Sequence, residues 1–165
     1  MRNNARRWLT ILPIAGLVLA LDQWSKAWVV RNIPLNQVWV PIPAIGRFFW
    51  FKHVTNTGAA FGIFPDSRLF LLAVSVVVIV AIIAYSRYFP ATRWLASLSL
   101  ALQLGGALGN FLDRLLVGRV VDFLDVPYWP IFNVADSSLV VGTLLLALLV
   151  LTEKEIVPAQ ELVDA

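Results

Sequence analysis

Four apolar stretches, Trp8–Val30, Leu69–Tyr85, Trp94–Leu112 and Leu139–Leu151, limit what this chain can become. An α-helix rises about 1.5 Å per residue and the hydrocarbon layer of a bilayer is roughly 30 Å thick, so the first three can cross it and the fourth is short. With 59% apolar and only 14% charged residues, the composition lies outside that of soluble domains. The expectation is an all-α membrane protein of four transmembrane helices. It forms a single domain over residues 1–165, with spans at about 8–30, 69–85, 94–112 and 137–151.

The opening MRNNARR and the apolar run ending in VLA also fit a secretory leader, with Val18 and Ala20 at the small-residue positions before a cut. Against this, the apolar stretch continues past Asp22 through Ala27 to Val30, and the segment is read as a retained first helix. Arg2, Arg6 and Arg7 then suggest a cytoplasmic N-terminus, with Arg87 and Arg93 in a cytoplasmic turn and the C-terminus inside. The thirteen Lys and Arg residues are scattered rather than striped, which points to anionic lipid headgroups and away from nucleic acid. Cysteine is absent and the lone histidine, His53, reads as a strand or interfacial residue, so no metal or other cofactor is expected.

Between the first two spans the pattern changes. Residues 36–56, within NQVWVPIPAIGRFFWFKHVTNTG, carry β-branched and aromatic runs punctuated by Pro41, Pro43 and Gly46, as a small β-hairpin or sheet outside the membrane would. Its aromatic residues suit a place on the bilayer surface or over the helices. The tail EKEIVPAQELVDA reads as a soluble end.

Charges inside the apolar runs carry the chemistry. Asp22 stands fifteen residues after Arg7, about 22 Å along a helix, and Lys26 follows one turn later on the same face. That pair either fixes helix packing or supports a polar site. In LGGALGNFLDRL, Gly105, Gly106 and Gly109 permit close helix approach, while Asn110, Asp113 and Arg114 cluster at the outer end. Asp136 begins the fourth helix near the hydrocarbon boundary and reads either as an N-cap or as a functional acid. Asp122 lies in an extended apolar run where a lone acid has no capping role; Asp125 competes with it. Two carboxylates brought together near lipid hold one proton between them, which suits peptide hydrolysis by general acid and base.

Four motifs stand in order: DQWSK, NTGAAFG, GNFLDR, and VVDF with FNVADS. Together they resemble the bacterial lipoprotein signal peptidase (signal peptidase II) family over nearly the whole chain. The resemblance implies an intramembrane aspartic endopeptidase of the bacterial inner membrane, with its active site toward the periplasm and a small periplasmic β-sheet lying against the membrane. Its substrate would be a diacylglyceryl-modified prolipoprotein, cut before the lipidated cysteine, and it implies Asp122 and Asp136 as the catalytic pair. By the same mapping Asp22, Lys26, Asn56, Gly58, Asn110, Asp113, Arg114 and Asn133 shape the site or hold substrate. Asn56, Asn110 and Asn133 are candidates to receive backbone groups of an unwound substrate. The link LDVPYWPIFNVA between the two aspartates is shorter than the family pattern and is a candidate lid. Membrane lipids are the other expected partners and a monomer the expected state. The main alternative is a small proton-coupled membrane transporter, because intramembrane acids and lysines also line ion paths; a scaffold glued by polar residues is a third.

Overall fold

A computed structural model of the chain describes residues 2–58, 68–88 and 93–154. The AAFG end of NTGAAFG and the tail from Glu155 onward lie outside the described residues. Helix α1 runs Arg2–Asn32, α2 Arg68–Tyr85, α3 Trp94–Leu116 and α4 Val134–Lys154. All four are long and apolar enough to span a membrane. Three short strands complete the fold: β1 (Val38–Trp39), β2 (Trp50–Asn56) and β3 (Val120–Asp125). The helices overrun their apolar runs because backbone hydrogen bonding continues into the polar flanks, whereas hydropathy marks only the part facing lipid.

Helix α3 is the central post. More than half of its apolar stretch is buried, against about a fifth of that of each of the other three. Small residues make this possible. A Cβ on Gly105 would stand 2.7 Å from the Ala15 carbonyl oxygen of α1, and one on Gly106 would collide with the Ala135 carbonyl of α4. The backbones can therefore approach closely on both sides of one helix. Ser99 adds a hydrogen bond of 2.8 Å to the Gly142 carbonyl, joining α3 to α4. Ile11, Ala15, Ile82, Leu100, Ala101, Leu104 and Ala107 form the buried apolar core. At the end of the bundle where α1 begins, buried Arg7 donates to the Ser86 carbonyl, just past the end of α2.

The sheet is three-stranded and antiparallel in the order β1-β2-β3. A local hairpin accounts for only part of it: the third strand arrives from beyond α3 and pairs Val54 with Asp122 and Asn56 with Val120. Between Phe51 and Val54 strand β2 carries one residue more than β3, a bulge that sets which side chains face the helices. Aromatic contacts seat the sheet on the end of α1, with Trp28 to Trp39 at 5.3 Å and Trp28 to Phe51 at 6.3 Å between ring centroids. Phe123 packs beside Val29 and Ile33. His53 is buried in β2 with Nδ1 2.7 Å from the Ile33 carbonyl oxygen, a structural position consistent with its strand reading.

If close backbone approach is what Gly106 supplies, Gly106→Ala should destabilise the bundle by about 1–3 kcal/mol. Gly16→Ala, where a new Cβ meets nothing within 4 Å, should be neutral or stabilise by up to about 1 kcal/mol. Thermal unfolding of both variants in one detergent compares them; equal melting points would remove the packing argument.

Candidate active site

The start of α4 organises the site. Asn133 precedes the helix and caps it: its Oδ1 accepts from the Asp136 amide at 2.8 Å, while Asp136 Oδ2 accepts from the Asn133 amide at 3.3 Å. This is a reciprocal capping box, so Asp136 is the third helical residue and Asn133, rather than Asp136, is the N-cap. The sequence reading of Asp136 as a possible N-cap is corrected accordingly. One donor of the α4 terminus goes elsewhere: the Ala135 amide meets Asp22 Oδ1 at 2.9 Å. A carboxylate is well placed at that end of a helix.

Lys26 gathers the rest. Its ammonium lies 2.8 Å from Asp22 Oδ2, 2.8 Å from Asp113 Oδ2 and 3.1 Å from Asn110 Oδ1. Three donors thus have three acceptors, and the four side chains are buried. Because Asn110 turns its oxygen to Lys26, its amide NH2 points the other way and donates to Asp136 Oδ1 at 2.7 Å. Asn133 repeats the device: with Oδ1 committed to the Asp136 amide, its NH2 donates to Asp122 Oδ1 at 2.7 Å. Asn56 is the third case. Its Oδ1 accepts from the Gly58 amide at 2.9 Å and its NH2 meets Asp122 Oδ2 at 3.1 Å. The sheet register explains this last contact, since Asn56 lies two residues beyond Val54, the partner of Asp122, on the same face.

Asp122 and Asp136 open onto one cavity of ≈ 600 Å³, shared with Asn56, Asn110 and Arg114. Val54, Ile131 and Leu139 contribute apolar wall. Burial above all, and then the charge of Asp136, push the Asp122 carboxyl up to about 7. Its hydrogen bonds from Asn56 and Asn133 act in the opposite direction but do not prevail. Asp125 plays a structural part instead, since Trp50 Nε1 donates to its Oδ2 at 2.6 Å and so fastens β2 to β3.

Every site residue expected from the sequence is therefore in or against one polar cluster. Asn133 is fully buried, and its donors go to Asp122 and the framework. Gln23 joins the cluster without having been expected there. Its Nε2 bridges Asp22 at 3.2 Å and Asp113 at 2.9 Å, and its place beside Asp22 in DQWSK was the available signal.

Residues 14–152 match the sequence family described as signal peptidase (SPase) II. A lipoprotein signal peptidase of Moorella thermoacetica is 47% identical over 138 residues, covering 84% of this chain and 90% of its own. That of Bacillus subtilis (strain 168) is 42% identical over 137 residues, covering 81% and 87%. A solved bacterial membrane enzyme structure superposes with a TM-score of 0.81 at 30% identity, covering 91% of this chain and 92% of the other.

A carboxyl whose folded titration point is raised from 3.8 to about 7 adds stability that is fully present below the lower value and lost as pH rises through the upper one. The melting temperature should fall between about pH 4 and about pH 7, by several degrees. The fall should flatten in Asp122→Asn, as thermal scans of the two proteins across pH will test.

Proposed function

This chain belongs to the signal peptidase II family, and from that membership we propose that it removes signal peptides from prolipoproteins by an aspartic mechanism, with Asp122 and Asp136 as the catalytic pair. The observation that carries this reading is the pairing of two carboxylates on one cavity, each held by asparagine donors whose own oxygens are already engaged. Cleavage falls before the lipid-modified cysteine, and a water molecule is the nucleophile. The elevated titration point of Asp122 favours it as the protonated partner and Asp136 as the ionised one.

Ionised Asp136 removes a proton from water as the oxygen bonds to the scissile carbonyl carbon, and Asp122 donates its proton to the carbonyl oxygen. Collapse of the tetrahedral diol breaks the C–N bond. The amide nitrogen leaves with the proton held by Asp136, and a diol proton returns to Asp122. Arg114, on the same cavity, offsets the negative charge of the pair. Asp22, Lys26, Asp113, Gly58 and Asn133 support the geometry, whereas Asn56 and Asn110 also face the cavity and stand ready to meet substrate backbone.

The whole chain acts as one peptidase domain and as a monomer in the bacterial inner membrane. Its termini lie in the cytoplasm and its site lies at the periplasmic surface, where the acyl chains of the substrate hold the cleavage point. The proton-coupled transporter reading has no support from the family or the relatives, and hydrogen bonding within the site accounts for the buried charges without an ion path.

Purified protein given a diacylglyceryl-modified prolipoprotein in detergent should cleave it. Asp122→Asn and Asp136→Asn should each lower turnover by at least about a thousandfold while remaining folded. Full turnover by both variants would end the aspartic reading. The rate should also trace a bell against pH, its alkaline limb near 7 as Asp122 loses its proton; a rate still rising above pH 9 would contradict the assigned roles.

A further inference from the structure

Helix α2 has the highest mean hydropathy of the four spans, 2.8. Between Arg68 at its start and Tyr85 at its end, Ser75 is its single hydrogen-bonding side chain. Arg68 is oddly placed for α2 itself, because a cation at a helix N-terminus opposes the helix dipole. Its guanidinium instead reaches the C-terminus of α3, where a cation is favoured. Nε donates to the Arg114 carbonyl at 3.1 Å and the terminal nitrogen Nη2 to the Leu115 carbonyl at 2.9 Å.

Those two carbonyls are among those that α3 leaves over at its end. In its last turn the Val117 and Gly118 amides both go to the Asp113 carbonyl, at 2.9 and 3.0 Å, so the next two oxygens need outside donors. The same arginine lies across Gly118, whose φ of +79° turns the chain from α3 into β3. A Cβ there would stand 3.2 Å from Arg68 Cδ. Two residues later β3 begins, and two residues further along stands Asp122. From the same face of α2, two turns on, Ser75 Oγ lies 3.4 Å from a terminal nitrogen of Arg114.

We propose that Arg68 is a positioning residue, a latch by which α2 fixes both the Arg114 side chain and the start of β3 relative to the two aspartates. The proposal rests on the aspartic reading above. Arg114 is faced by Asp136 from α4, Asp122 from β3 and Asp113 on its own helix. Lys26 and Asp22 of α1 stand behind Asn110, and Arg68 approaches from α2. Loss of the latch lets the guanidinium drift from the carboxylates, so each ionisation of the pair becomes harder.

The test uses full-length protein in detergent. In Arg68→Ala, kcat should fall about tenfold with KM changed less than about twofold. Both limbs of the pH–rate profile should move up by about half a unit, and amide hydrogen exchange at residues 117–121 should quicken. Arg68→Lys keeps the charge but lacks the two-pronged donor, and should recover only part of the rate. In an Arg114→Lys background, Arg68→Ala should lower the rate by less than about twofold further. Unchanged turnover and exchange in Arg68→Ala would overturn the proposal. So would a loss that multiplies fully with that of Arg114→Lys and leaves the pH profile in place. Should Arg68→Ala not fold, Arg68→Lys decides, and wild-type rate with wild-type exchange in that variant overturns it. Cleavage by Asp136→Asn would instead overturn the aspartic reading, whereas an inactive Asp136→Asn beside a fully active Arg68→Ala would remove only the latch.

Discussion

A single ammonium group holds the polar interior together. Lys26 has three protons to give and three oxygens to receive them, from Asp22, Asp113 and Asn110. Buried charges are tolerable when every donor and acceptor is matched, and removing one member of such a set leaves a penalty that the others cannot absorb. What matters for the site is less the ion pairs than the amide. An asparagine can present either its oxygen or its NH2 to a neighbour, and the ammonium decides which way Asn110 points. Asp136 receives a donor as a result.

The same logic recurs at Asn133 and Asn56, each with its oxygen held by a backbone amide and its NH2 turned to Asp122. Helix α3, the start of α4 and the sheet thus each bring an amide to the aspartates, and these hydrogen bonds add no net charge beside the Arg114 guanidinium that faces the pair. Burial of Asp122 is the opposing influence, and it prevails. The fold therefore carries an unfavourable ionisation at a buried acid and offsets it with packing elsewhere, chiefly along α3. That arrangement is what the proposed aspartic mechanism asks of Asp122, an acid protonated near neutral pH.

The four helices were legible because length and hydropathy alone decide whether a segment can cross lipid, and Asp22 with Lys26 was legible because helical spacing puts them on one face. The meeting of that pair with Asp113 was not, since it depends on how α1 and α3 are rotated against one another. Strand β3 also escaped the local pattern: its partner lies more than sixty residues earlier, and pairing at that range leaves no short-range signature. Periodicity could not separate Asp122 from Asp125, and the family resemblance singled out Asp122. In the fold their different surroundings are plain, one carboxylate facing Asn133 and the other held by Trp50. The three-residue spacing of Asn133 and Asp136 is that of a capping box, but an acid at the third position can equally be a cap in its own right, and only the helix start distinguishes the two.

The chain between the two aspartates is closed at its base, where Leu124 and Phe132 exchange backbone hydrogen bonds of 2.7 and 3.0 Å. Beyond Asp125, which still pairs with Trp50 in the sheet, residues 126–131 loop outside that clasp. The excursion can therefore be lengthened or trimmed as a detachable module while the clasp keeps the framework beneath it in register. Exchanging the excursion for another sequence thus becomes a way to alter what reaches the cavity mouth, which Trp129, Pro130 and Ile131 help to line, without rebuilding the interior.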